Sequence, residues 1–159
     1  MPKVPRPNIA ILMEQPAITI MNAHRIMAVS TVRPDGWPQT TMVGYANEGF
    51  NIYFVIFRGS QKFANIQKEP RISLAISAEP HQLEELRAVY AGALASEVTD
   101  PKEADHAWNL LVQRHPNLSG YYRPDASEAV MIRASCKHLS VVDFTQGLGH
   151  TEAREVGGD

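Results

Sequence analysis

Three apolar runs follow one another almost without interruption: IMAVSTVR at 26–33, PQTTMVGYA at 38–46 and FNIYFVIF at 50–57. Connections this short can join only strands that lie side by side and antiparallel. Pro34-Asp35-Gly36 carries the first turn, because proline presets one dihedral and glycine accepts a positive φ. Asn47-Glu48-Gly49 closes the second hairpin. The first run shows little polar alternation, which predicts burial on both of its faces. A chain built on this stretch must form an antiparallel meander, and the rest has to fit around it.

Downstream, Phe63 and Ile66 give one buried stripe to a helix from about Gln61 to Glu69, and Pro70 stops it. In 72–77, Ile72, Leu74 and Ile76 alternate with Ser73, Ala75 and Ser77, the signature of a strand with one core face. A further strand covers 86–98, with Gly92 marking a bulge, a bend or a close approach. Asp100, Pro101 and Glu103 resemble a capping box for a helix to about Arg114, burying Ala104, Ala107, Trp108 and Leu111. His115-Pro116-Asn117 ends it. Residues 129–144 supply the last strand or two, interrupted near Lys137-His138. The expected fold is mostly β with helices (α+β): a six-stranded antiparallel barrel with short covering helices.

At 159 residues the chain is expected to be a single domain, 1–159, with a surface arm at 1–16 and a flexible tail at 147–159. The arm has a short apolar run flanked by prolines and does not read as a signal peptide. A net charge of −2 gives no general reason to bind nucleic acid or an anionic membrane. No run approaches the roughly 18 apolar residues of a membrane span. The single cysteine, Cys136, excludes an intrachain disulfide framework, fits a cytoplasmic setting and reads as a buried, inert thiol.

The most suggestive chemistry lies at Arg58-Gly59-Ser60-Gln61-Lys62. A tight turn delivers a hydroxyl, an amide and an ammonium to a helix N-terminus, where free N–H groups and the helix dipole favour an anion such as phosphate. An ordinary N-capped helix with a solvated Lys62 has the same spacing. The six histidines show no metal-ligand spacing, and no metal site is expected. His150, in a glycine-rich stretch, is the most suggestive of them. No nucleophile or acid–base constellation is visible, so no catalytic residue is assigned.

The series AVSTVRPDGWPQTTMVGY, IYFVIFRGSQKFANI and EPRISLAI resembles the flavin-binding split-barrel family typified by pyridoxamine 5′-phosphate oxidase. The likeness is closest over Arg25 to Val98. It implies a split β-barrel that binds flavin mononucleotide (FMN) and transfers electrons or hydride to a small molecule. It places the cofactor phosphate on Ser60, Gln61 and Lys62, bordered by Val55 and Arg58. Thr40, Thr41, Met42 and Val43 would lie along the ribityl chain and ring. It also implies a homodimer with the cofactor between subunits, and a substrate pocket drawing on Trp37, Trp108 and Tyr121. The chain departs from the family at Gln61, where arginine is usual, at Thr40, where a second arginine is expected, and in its ending GLGHTEAREVGGD, which lacks the oxidase's basic closing segment. Pyridoxamine phosphate is therefore not the expected substrate. The alternatives are a deazaflavin-dependent reductase, or a non-catalytic flavin- or haem-binding module.

Overall fold

The structure, a computed structural model, describes residues 9–156, with side chains from residue 16 onward. Three helices, α1 (Ile9–Ala23), α2 (Gln61–Lys68) and α3 (Pro101–Arg114), surround eight strands. The strands are β1 (Ile26–Val32), β2 (Pro38–Gly44), β3 (Ala46–Glu48), β4 (Asn51–Phe57), β5 (Arg71–Ser77), β6 (Arg87–Glu97), β7 (Ala129–Asp143) and β8 (Thr151–Glu155). All pairings are antiparallel, in the order β2-β1-β5-β6-β7-β4-β3, with β8 added to β7.

The ring is completed by the chain itself. β2 pairs with β1, whereas β3, one residue further on, pairs with β4. The segment 38–48 is thus a single extended stretch that bends at Tyr45 and changes partner, which turns an open sheet into a split barrel. Tyr45 is wholly buried at the bend, and its hydroxyl donates to the Met21 carbonyl at 2.7 Å. Burial pushes its phenol up to about 12.

Eight strands stand where six were expected, and both additions have a local cause. The bend divides the predicted strand 38–46, so that Asn47 and Glu48 join β3 and the hairpin loop shrinks to Gly49-Phe50. Gly49 takes φ +58, a conformation open to glycine. In the predicted flexible tail, Gly147 (φ +132) and Gly149 (φ +81) form a turn instead of fraying, and 151–155 fold back on β7 as β8. The last three residues lie outside the described part. Of the predicted arm, residues 1–8 are also outside it, while 9–16 form the first half of α1. Pro16 lies inside that helix and removes one donor from its ladder. Ala17 and Met21, both wholly buried in the barrel core, hold the helix in place regardless.

β1 is buried on one face only, contrary to expectation: Met27, Val29 and Thr31 point inward, and Ala28 and Ser30 remain half-exposed. Its outer face carries small residues that none of the described helices covers. The main core joins Ile52, Phe54, Ile76, Val89, Val130 and Ile132 inside the barrel to α1 and α2. A second cluster, with Tyr53, Ala107, Leu111 and Met131, lies between α3 and the outside of the sheet. At Gly92 the β6–β7 register slips by one residue, leaving Lys137 without a partner on β6, so the predicted bulge and the predicted interruption are one feature. A Cβ on Gly92 would meet Cδ2 of His138 at 3.0 Å, which explains the glycine. Cys136 is buried in the core, and burial pushes its thiol up to about 12.

α3 starts as predicted, with the Asp100 carboxylate accepting from the Lys102 amide at 3.1 Å and Pro101 at the first helical position. Glu103 does not complete a capping box. It accepts instead from the Tyr53 hydroxyl (3.0 Å) and from Arg133, whose guanidinium holds its carboxyl below the usual range. The helix is thereby tied to β4 and β7.

Candidate functional site

β2 is an edge strand, with one side of its backbone unpaired. Its side chains alternate: Gln39, Thr41 and Val43 are the more buried, and Thr40 and Met42 face out. The Thr40 and Ser30 hydroxyls share a hydrogen bond of 2.7 Å. The Thr41 Oγ1 is buried without a partner among the described residues.

α2 meets this strand through one amide. Asn65, wholly buried, donates through Nδ2 to Thr31 Oγ1 (3.0 Å) and Gln39 Oε1 (3.1 Å), and its Oδ1 accepts from Gln61 Nε2 (2.8 Å). The start of α2 is thus fixed against β1 and β2. Ser60 caps the helix, its Oγ accepting from the Phe63 amide at 3.1 Å. Lys62, one residue into the first turn, is partly buried and has no hydrogen bond or ion pair among the described residues. Burial lowers the pKa of its ammonium. A partly desolvated cation without a counter-charge at a helix N-terminus is a ready place for an anion.

Arg58 is engaged elsewhere. Its Nε donates to the Ala126 carbonyl (2.8 Å), its Nη2 pairs with Glu97 (2.6 Å), and its guanidinium lies over the Phe63 ring at 5.5 Å. Val55 faces the space beneath α3. There a cavity of about 420 Å³ runs between Gly44 and Val55 under Trp108, His115, Tyr121 and Tyr122. A neighbouring cavity of about 320 Å³ shares Val55, Trp108 and Pro124 and is flanked by the Arg58–Glu97 and Arg123–Asp105 pairs.

Of the residues singled out from sequence, Ser60, Gln61 and Lys62 open α2, which reaches β2 through the Asn65–Gln39 hydrogen bond, and Thr40 to Val43 follow Gln39 on that strand. Val55, Arg58, Trp108 and Tyr121 line the cavities, where Gly44 brings in the end of β2. Trp37, 71% exposed in the β1–β2 turn, lines neither. Sequence reasoning misses Asn65 and His115. Asn65 sits four residues after Gln61 and beside Ile66 on the buried side of the helix, the one hint available. His115 reads in sequence only as a helix stop. His150 sits in the turn before β8, 3.4 Å from the Glu152 carboxylate. Among the described residues no three His, Cys, Asp or Glu side chains gather as a metal site would require, and no helix is long and apolar enough to cross a membrane.

Residues 13–143 match the family model described as pyridoxamine 5′-phosphate oxidase. No curated protein matches the chain by sequence. Among solved structures, a haem-binding protein from Mycobacterium smegmatis superposes with a TM-score of 0.76 at 19% identity, over 96% of this chain and 60% of that one. The general stress protein 26 of Bacillus anthracis gives 0.69 at 20% identity, over 91% and 98% of the two chains. A FAD-binding protein from Mesorhizobium loti gives 0.63 at 19%, over 79% and 90%. The chain spans about three-fifths of the first of these proteins. At such identities the likeness is one of fold.

Proposed function

Because the chain belongs to the pyridoxamine 5′-phosphate oxidase family, we propose that it binds FMN at the α2–β2 site and works as a flavin-dependent oxidoreductase on a small molecule. The observation that carries this reading is Lys62, partly buried and without a counter-charge beside the Ser60 cap. The orphaned Thr41 hydroxyl on the adjoining edge strand supplies a second polar group in need of a partner. Ser60, Lys62 and the α2 backbone would hold the phosphate, and β2 would run along the ribityl chain and ring. The bound flavin supplies hydride and electron transfer; the chain orients it and excludes water.

One observation favours a second reading. Arg58 is paired with Glu97 and Gln61 is bound to Asn65, so among the described residues Lys62 alone brings an unpaired positive charge to the turn. A single charge suits the phosphodiester of a deazaflavin coenzyme better than a terminal phosphate carrying close to two.

Titration of the purified protein with FMN, and in parallel with the deazaflavin coenzyme, followed by absorbance after desalting, tests both readings. Retained bands at the flavin wavelengths support the first, and uptake of the deazaflavin alone supports the second. Lys62→Ala should weaken uptake at least tenfold, since a charge-assisted contact contributes about 1.5–3 kcal/mol. An unchanged affinity would remove the phosphate seat.

We also propose that the chain is a homodimer, paired through the uncovered outer face of β2, β1, β5 and β6. Ala28, Ser30, Thr40, Ser73, Ala75 and Tyr90 line a shallow depression there, and Met42 beside it is 66% exposed. Sedimentation at micromolar concentration should show a dimer that Ser73→Arg converts to monomer. A wild-type monomer overturns the shared-site arrangement.

A further inference from the structure

We propose that β8 is a docking edge for a second copy of this chain: two copies pair β8 against β8, antiparallel about Ala153, and join their sheets into one. This goes beyond the flavin reading and shares no residue with the α2–β2 site or the outer-face dimer, so each can fail without the others.

The ladder between β7 and β8 has a fixed parity. The Asp143 amide donates to the His150 carbonyl (3.1 Å), and the Val156 amide to the Lys137 carbonyl (2.7 Å). Between these rungs the pairs run without a slip from Val142–Thr151 to His138–Glu155. Hydrogen-bonded pairs of an antiparallel ladder fall on alternate residues, so Glu152 and Arg154 turn their backbone groups to β7. Thr151, Ala153 and Glu155 turn theirs away. Among the described residues no strand pairs with that side, and the backbone groups of Thr151 and Ala153 have no partner. The Glu155 carbonyl accepts from Arg154 Nε of its own strand at 3.3 Å, a contact that pairing would replace. Thr151, Glu152, Ala153 and Glu155 are all exposed, so the edge is open to a neighbour.

The side chains select a copy of the same strand. With Ala153 on a two-fold axis, Thr151 of each copy meets Glu155 of the other and Ala153 meets Ala153, all as hydrogen-bonded pairs. The pairs between them set Glu152 of each copy against Arg154 of the other, where cross-strand side chains come closest and unlike charges attract. Sliding one strand by two residues is the smallest step that keeps donors facing acceptors. It sets Glu152 against Glu152 in one direction and Arg154 against Arg154 in the other, so charge fixes the register. The contact is five residues long and polar, and its dissociation constant is expected on the order of 0.1–1 mM.

Sedimentation equilibrium of the full chain from about 10 µM to about 1 mM tests the pairing. The weight-average mass should rise by at least about half over that range. Ala153→Pro removes an N–H that faces away from β7, so the β7–β8 ladder stays whole while the docking edge is blocked. Its mass should stay at the dilute value, as should that of Glu152→Arg, which sets like charges opposite each other. Hydrogen exchange on the wild type gives a second reading. In dilute protein the amides of Thr151, Ala153 and Glu155 should exchange at close to the unprotected rate, and at about 1 mM they should slow about two- to fivefold. A constant mass, growth that survives Ala153→Pro, or no slowing at these three amides would each overturn the pairing. The exchange rates decide the matter even if a variant loses β8.

Discussion

Asn65→Leu is expected to destabilise the protein by about 2–4 kcal/mol, although it removes a polar group from the interior and nearly preserves volume. The wild-type amide makes three hydrogen bonds with no access to water. Each contributes about 1 kcal/mol net, and the greater loss comes from the groups left without a partner. Thr31, 2% exposed, would lose the donor to its hydroxyl, and Gln39 the donor to its amide oxygen. For a domain of this size the midpoint of thermal unfolding should fall by roughly 5–15 °C. Gln61→Ala, at the exposed end of the same chain of amides, should cost under about 1 kcal/mol. Circular dichroism melts of the two variants separate these cases. A melt of Asn65→Leu within a degree of wild type would mean that Asn65 does not hold the start of α2 in place.

The second large effect is expected at Arg114, in the last turn of α3. Its Nη1 donates to the carbonyls of Met21 (3.0 Å) and His24 (2.9 Å), at the end of α1, and its Nη2 to Asn47 Oδ1 (3.0 Å). The guanidinium also lies over the Tyr45 ring at 5.6 Å. One side chain thus caps α1, braces β3 and covers the bend. Arg114→Met keeps much of the stem packing and deletes the donors. It should cost about 3 kcal/mol in urea unfolding and speed amide exchange through 17–23 ahead of the barrel strands. Arg114→Lys should recover less than half of the loss, because an ammonium cannot span three acceptors held in a planar fork. Equal exchange in α1 and the barrel would argue against the clamp.

These two residues also show where the sequence stops being informative. Short-range signals are legible: the hairpin turn at Pro34-Asp35-Gly36, the alternation of 72–77, the start of α3 at Asp100-Pro101 and the bulge at Gly92 all depend on neighbours in the chain. The Ser60 cap is legible for the same reason. Asn65 reads as a surface helix residue until burial is known, and Arg114 as a favourable charge at a helix end. Nothing local shows that Arg58 is committed to Glu97, or that His115 rests on the backbone at Gly44, because both partners are far away in sequence. α1 escapes a sequence reading because Pro16 looks like a break, and only its contacts with the barrel override that. β8 escapes it because glycines suit a loose end as well as a tight turn.

The bend at Tyr45 has a mechanical consequence. Elsewhere around the ring, neighbouring strands are fastened by backbone hydrogen bonds, but among the described residues no ladder pairs β2 with β4, and the chain passes from one to the other through β3. That seam, between Gly44 and Val55, forms part of the wall of the larger cavity. It can widen or narrow by adjusting side-chain contacts, without breaking a single rung of the sheet. The width of this part of the wall is therefore set by side-chain packing and not by the ladder that fixes the spacing of every paired strand.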